Sequence, residues 1–335
     1  MNLSKLNNIL ESEPDYRAKQ IKKAVFGNLI DDWSQATVLP SALREKLKKE
    51  CPLDIGAEIF VSKDKKTAKA LITLNDGLRI ESVLMRHKDE RNTICVSSQA
   101  GCPLGCLFCA TGKMGFKRNL DSSEIVEQVL FFARYLKKQN GKVVNVVFMG
   151  MGEPFLNYNN VISAIKILND KEGFNLGARH FSISTVGITE GIKRLAEEKM
   201  EINLAISLHA PNDELRLKII PANKKYPIKK VISAVDEYIK KTGRRVMFEY
   251  IMIKNLNDSD EQALELAKLV KRPLCFLNLI NYNATGIFEP SLPKRIEAFR
   301  KILEKKGISV TQRYKFGQEI KAACGQLAGR QNCKI

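Results

Sequence analysis

The sequence has 335 residues, is 44% hydrophobic, and carries 55 Lys and Arg against 37 Asp and Glu, a formal charge of +18. That is enough apolar material for a full core, while the longest apolar runs, such as residues 143–149, are far too short to span a bilayer, so neither a membrane segment nor a membrane partner is expected. The cationic excess points either to a polyanionic partner such as RNA or to a compositional bias toward solubility, and charge alone leaves both open.

Residues 1–55 read as a small basic helical unit, an RNA-binding accessory domain if the charge is functional. Residues 16–26 place Ala18, Ile21, Ala24 and Val25 at helical spacing among Arg17, Lys19, Lys22 and Lys23, and a second helix is expected over Ser41–Glu50. From Ala57 the period changes to two. Residues 58–61, 68–74 and 79–84 read as the strands of a β-meander over 56–90, with Asn75-Asp76-Gly77 as the hairpin signal between the last two.

From Thr93 onward strand and helix patterns alternate, which defines an α/β core over 91–335. Strands are predicted at 94–98, 143–149, 181–186, 202–208, 246–253 and 275–280. Helices follow each, opening at Asp121, with Glu124 in capping-box spacing, and near Asn160, Thr189, Ile228, Asp258 and Pro293. Six such units fall short of the eight that close a barrel, so the expected fold is an open partial (β/α)6 barrel with its active site at the C-terminal ends of the strands.

The first βα loop carries Cys102, Cys106 and Cys109 in a C-x3-C-x2-C arrangement. Three thiolates on one loop can hold three irons of a 4Fe-4S cube and leave the fourth iron open to another ligand. A zinc loop completed by Cys95 or His87 is the alternative. No n-region followed by an apolar h-region opens the sequence, so a cytoplasmic location with reduced thiols is expected in preference to a disulfide loop. The spacing resembles that of the radical S-adenosylmethionine (SAM) enzymes, in which the open iron chelates SAM.

Other polar clusters end successive strands. They are Gly150-Met151-Gly152-Glu153-Pro154, Ser184-Thr185-Val186-Gly187, Ser207-Leu208-His209 and Asn281 to Asn283. A glycine-rich loop with Glu153 can bring backbone and carboxylate to the ammonium of SAM, while Ser184, Ser207, His209 and Asn283 can bond its carboxylate and ribose. Singly, each has an ordinary turn or core explanation; together, on one face, they describe a cofactor site. Cys95 precedes the cluster loop and Cys324 lies in Ala322-Ala323-Cys324-Gly325-Gln326-Leu327. A buried cysteine is by default a small hydrophobe, the reading kept for Cys51, Cys275 and Cys333. Gly325 beside Cys324 suits a mobile loop that can enter a pocket.

From residue 80 to residue 328 the chain resembles the RlmN and Cfr family of radical SAM RNA methyltransferases. The resemblance rests on Ile80-Glu81-Ser82-Val83-Leu84, Cys95-Val96-Ser97-Ser98-Gln99, the cluster loop, Arg118-Asn119-Leu120, the Gly152-Glu153-Pro154 loop, Ser184 to Ile188, Ser207 to Ala210 and Ala322 to Ala328. It implies a 4Fe-4S cluster, two SAM molecules per turnover, an electron donor such as flavodoxin or ferredoxin, and a monomeric enzyme. It further implies methylation at C2 of an adenosine in the peptidyl-transferase centre of 23S rRNA, and of the adenosine 3' of the tRNA anticodon.

In the mechanism so implied, Cys324 is methylated by displacement and its S-methyl group loses a hydrogen to a 5'-deoxyadenosyl radical. The carbon radical adds to adenine, Glu81 takes the ring proton, and Cys95 closes a disulfide with Cys324 to release the product. Gly152-Glu153-Pro154 resembles the RlmN type, whereas Gln312-Arg313 and Phe316-Gly317 depart from the more usual RlmN pattern; C8 methylation of the Cfr type and a non-catalytic iron-sulfur or zinc RNA-binding protein are the alternatives.

Overall fold

The computed structural model describes residues 3–312 and 317–329; Arg313, Phe316 and Cys333 lie outside them. The strands are β1 (Ala57–Val61), β2 (Thr67–Thr73), β3 (Arg79–Arg86), β4 (Asn92–Cys95), β5 (Gln99–Gly101), β6 (Phe116–Asn119), β7 (Asn145–Phe148), β8 (Phe181–Thr185), β9 (Asn203–Ser207), β10 (Val246–Met252), β11 (Cys275–Asn281) and β12 (Val310–Gln312). Ten of them form one open sheet in the order β1-β2-β3-β4-β7-β8-β9-β10-β11-β12. From β1 to β4 the pairs are antiparallel, and from β4 to β12 they are parallel. The meander predicted over 56–90 therefore continues the core sheet through the β3–β4 pair.

The helices are α1 (Leu3–Glu11), α2 (Asp15–Lys22), α3 (Ser41–Glu50), α4 (Ala110–Lys113), α5 (Ser122–Lys137), α6 (Tyr158–Asn169), α7 (Thr189–Glu197), α8 (Asp213–Ile219), α9 (Ile228–Thr242), α10 (Asp260–Val270) and α11 (Pro293–Lys305). Local chemistry sets several boundaries. Asp121 accepts the backbone N–H of Glu124 while Glu124 accepts that of Asp121, a full capping box, and Ser259 and Gln262 do the same for α10. Gly243 ends α9 in a left-handed conformation, φ +64°. The parallel strands are buried on both faces because helices cover one side and the barrel interior the other, as in the fully buried run Phe248 to Met252 of β10, where Glu249 is the one charged residue.

Three features depart from the sequence reading. A seventh parallel strand, β12, joins β11; three residues are too few to show a period of two. The strand expected over 94–98 stops at Cys95, because the chain leaves the sheet to pair β5 with β6 around the cysteine loop. The helix expected over 16–26 is α-helical only to Lys22 and widens into a π turn over Lys23–Gly27. The N-terminal unit buries Ile21, Val25, Trp33 and Leu47. It is fastened to the core by Lys22 to Asp170 at 2.8 Å and by Arg134 donating to the Leu53 carbonyl at 2.8 Å.

Candidate active site

The β5–β6 hairpin sets the cysteine loop. Gly101 has φ +78°, and a Cβ there would lie 1.9 Å from the Gly115 carbonyl oxygen, so only glycine lets the two strands approach. Cys102 then donates its N–H to Gly115, Cys109 donates to Cys106, and Leu107 donates to Ile219 at the end of α8. All three cysteines line one cavity of about 190 Å³ at the C-terminal ends of the parallel strands. Burial pushes the Cys102 thiol up to about 12 and the Cys106 thiol higher still, so these groups are neutral unless a metal replaces their protons. Among the described residues no three His, Cys, Asp or Glu side chains converge on a single ion position. A cube asks less of them, because each sulfur goes to its own iron. The donor set thus fits the cluster, with Cys102, Cys106 and Cys109 to hold it.

The next strand end supplies a buried carboxylate. Gly152 has φ +96° and a Cβ on it would come within 2.5 Å of Gln99, so the loop folds tightly enough for Gln99 to accept the Glu153 N–H at 2.8 Å. Glu153 accepts the N–H groups of Phe155 at 3.0 Å and Val186 at 2.9 Å. Burial nevertheless raises its carboxyl to about 7, outweighing those bonds. A carboxylate so placed gains most from a cationic ligand, and the ammonium of SAM is one.

Three strand ends then form a polar chain. Ser184 of β8 donates to Glu249 of β10 at 2.8 Å and lies 3.1 Å from the Ser207 hydroxyl of β9. His209 follows with φ +61°, held left-handed by Asn257 donating to its carbonyl at 2.9 Å and by its own N–H to the Glu249 carbonyl at 3.2 Å. Its Nδ1 accepts the Ile251 N–H at 3.2 Å, so Nε2 carries the proton. Burial lowers the ring to about 3, helped by the charge on Arg216, and the imidazole is a neutral donor. Arg216, fully buried on α8, donates to the carbonyls of Val186, Ser207, Leu208 and Tyr226, tying the third and fourth strand-end loops together.

The C-terminal segment closes the cavity. Ala110, the residue after Cys109, donates its N–H to Gly325 at 2.7 Å, and Thr111 donates its hydroxyl to Leu327 at 2.7 Å. Asn283 donates to the Cys324 carbonyl at 3.2 Å and accepts from Gln318 at 2.5 Å, so its amide is committed to this segment although it lines the cavity. Cys95 and Cys324, separated by most of the chain, both face the cavity.

Of the residues expected at the site, Cys102, Cys106, Cys109, Cys95, Cys324, Gly152, Glu153, Ser184, Ser207, His209 and Asn283 line this cavity. Leu208 does not: its N–H and carbonyl are bonded to Glu249 and Arg216 and its side chain is core. Glu81 sits beside the cavity, buried on β3, paired with Lys69 at 2.8 Å and accepting the N–H groups of Ala328 and Gly329. Sequence reasoning missed Glu249, Arg216 and Lys69. The signal for Glu249 and Lys69 was a single charge inside an apolar strand; Arg216, on a short helix rich in charge, gave none.

The Radical SAM superfamily profile matches residues 96–267. The chain is 49% identical, over 94% of its length and 91% of the relative's, to a probable dual-specificity RNA methyltransferase RlmN of Dictyoglomus thermophilum. It is 47% identical, over 93% and 92% of the two chains, to the ribosomal RNA large subunit methyltransferase N of Nitrosopumilus maritimus. A crystal structure of a radical SAM methyltransferase from Sphaerobacter thermophilus superposes with a TM-score of 0.94 at 44% identity, covering 98% of each chain. With the cysteine loop, the strand-end polar chain and the Cys324 segment in one cavity, the chain belongs to the RlmN family of radical SAM RNA methyltransferases.

Proposed function

We propose that this enzyme methylates C2 of an adenosine in the peptidyl-transferase centre of 23S rRNA, and the adenosine 3' of the tRNA anticodon, through an S-methylcysteine at Cys324. The observation that carries the reading is the convergence of Cys324 and Cys95 on the cavity of the three cluster cysteines. When bound at Cys102, Cys106 and Cys109, a 4Fe-4S cluster with SAM supplies the electron and the 5'-deoxyadenosyl radical that takes a hydrogen from the S-methyl group.

The chain's own residues do the rest. The carbon at C2 of adenine is too electron-poor to attack a methyl sulfonium, whereas the Cys324 thiolate is a good nucleophile, so the methyl group goes first to sulfur. Glu153 meets the SAM ammonium. Ser184, Ser207 and the Nε2–H of His209 fix its remaining polar groups, with Glu249 orienting the serine pair. Asn283 holds the Cys324 backbone. After carbon–carbon bond formation the adduct radical gives up one electron, for which a bound oxidised cluster would be the acceptor, and Glu81 accepts the ring proton. The Cys95 thiolate then attacks Cys324 sulfur, the sulfur–carbon bond breaks as the disulfide forms, and the released methylene takes up a proton to leave the methylated RNA. Two SAM molecules are used per turnover, and the electron comes from a flavodoxin or ferredoxin.

The enzyme acts as a cytoplasmic monomer, with residues 1–55 forming a basic RNA-holding domain, 56–90 a meander and 91–335 the catalytic core. Among the described residues no helix is long and apolar enough to cross a membrane. The test is mass spectrometry of nucleosides from 23S rRNA fragments and tRNA treated with the anaerobic enzyme. The reading predicts 2-methyladenosine in both. Formation of 8-methyladenosine would place the enzyme on the Cfr branch, and unmodified RNA with intact cluster would remove the enzymatic reading of this substrate.

A further inference from the structure

Glu81 is buried, and both of its carboxylate oxygens are occupied. Oε1 receives the Lys69 ammonium at 2.8 Å; Oε2 receives the N–H of Ala328 at 2.6 Å and of Gly329 at 3.1 Å. Strand register explains the placement. Leu71 pairs with Glu81 and Lys69 with Val83, so Lys69 and Glu81 are diagonal neighbours on one face of the β2–β3 pair. Val83 in turn pairs with Cys95 and lines the cavity, which puts the ion pair one pleat from the site. Gly329 has φ +59°, and a Cβ there would lie 2.7 Å from the Arg79 carbonyl oxygen; glycine is what lets this backbone reach the carboxylate.

We propose that Lys69 and Glu81 form a buried latch that docks the Cys324 segment, and that Glu81 becomes a proton acceptor only when Ala328 and Gly329 release it. A carboxylate that receives an ammonium on one oxygen and two amide donors on the other has no oxygen turned toward substrate. A buried ion pair adds little to stability compared with apolar residues of the same volume, so its use here is to place the segment that follows Cys324. Lys69 is thus a positioning residue acting through Glu81. Docked, the segment sets Cys324 at the cluster loop through the Ala110–Gly325 and Thr111–Leu327 bonds. Undocked, Oε2 of the same carboxylate is freed one pleat along β3 from Val83, the partner of Cys95, which couples the movement of Cys324 to the availability of the base. The second half rests on the proposed role of Glu81 as base; the first half does not.

The test is hydrogen exchange of the 320–329 segment in the anaerobic holoprotein, with monobromobimane labelling of Cys324 on parallel samples whose intact mass shows no methyl at that residue. Lys69→Met and Gly329→Ala should speed exchange of the Ala328 and Gly329 amides, and labelling of Cys324, by roughly ten- to hundredfold, the factor for losing a hydrogen bond to a charged acceptor. Peptides from β8 to β10 should be unchanged, and Lys69→Arg, which keeps the cation, should restore most of the protection. Gly329→Ala leaves no charge unpaired and serves if Lys69→Met fails to fold. Equal exchange at the segment in all variants, or an increase spread evenly over the chain, overturns the latch. Intact mass of wild type incubated with SAM reports methyl on Cys324 separately, so a loosened segment in the variants without any methyl at Cys324 there leaves the latch standing and removes the carrier role.

Discussion

Ala110 donates its backbone N–H to the Gly325 carbonyl at 2.7 Å, joining the residue after the last cluster cysteine to the residue after Cys324. One hydrogen bond thus links the loop that holds the cofactor to the segment that carries the proposed methyl group, and it makes their spacing a property of the backbone. Geometry of this kind is what allows a short-lived radical to meet one target.

The cysteine loop should hold a cube. Protein purified and reconstituted under argon should be brown, with about four irons per chain, and Cys106→Ala should lose colour and SAM cleavage together. Metal analysis checks it: zinc after anaerobic reconstitution contradicts the reading.

Glu153 sets a pH dependence whose sign follows from its burial. A carboxyl raised from 4.5 to about 7 destabilises the fold increasingly as pH rises from the lower value to the higher, because ionisation is easier in the unfolded chain. Glu153→Gln should therefore raise the melting temperature of the SAM-free protein at pH 8 relative to wild type, by more than it does below pH 4.5. The same substitution should weaken SAM binding by at least about tenfold, since a charged partner is lost. Calorimetry and isothermal titration measure the two effects, which run in opposite directions.

His209 gives a second pH signature. Its ring is held at about 3 instead of 6.5, so the unfolded chain takes up a proton that the folded one refuses. Stability from this residue is complete above about 6.5 and falls as pH drops toward 3. His209→Asn keeps a side chain tolerated at positive φ but cannot titrate. Its melting temperature should fall less than that of the wild type between neutral and acid pH, and an identical slope would show that the ring titrates normally.

RNA should be held largely through phosphates, so affinity should drop steeply with salt. Reversing the exposed charges of α3 with Lys46→Glu and Lys49→Glu should weaken binding and reduce the salt slope by about one for each phosphate no longer neutralised, with the iron content unchanged. Filter binding across a salt series decides; an unchanged slope moves the RNA site onto the barrel.

What the sequence made legible was whatever is local. The α3 boundaries, the Asp121–Glu124 capping box and the hairpin at Asp76-Gly77 depend on residues within four positions of one another, and each lies where the pattern predicts. The site was readable as residue types at strand ends, because βα loops converge whatever their contents. Long-range partnerships were not. Nothing near Lys69 announces Glu81, nothing near Arg216 announces four carbonyls, and the commitment of Asn283 to the Cys324 backbone depends on a segment about forty residues further on in the chain. The β5–β6 hairpin and β12 escaped because strands of three or four residues carry too few side chains to show a period.

In the proposed reaction Cys324 carries the methyl group and Cys95 releases the RNA, and a denaturing gel of Cys95→Ala and Cys324→Ala incubated with SAM, reductant and RNA separates the two roles. Cys324 acts before the carbon–carbon bond forms and Cys95 only afterwards. Cys95→Ala should therefore accumulate a covalent protein–RNA species whose shift disappears with nuclease, while Cys324→Ala should give neither adduct nor methylated RNA. Normal turnover by Cys95→Ala with no trapped species, or methylated RNA from Cys324→Ala, would contradict the account.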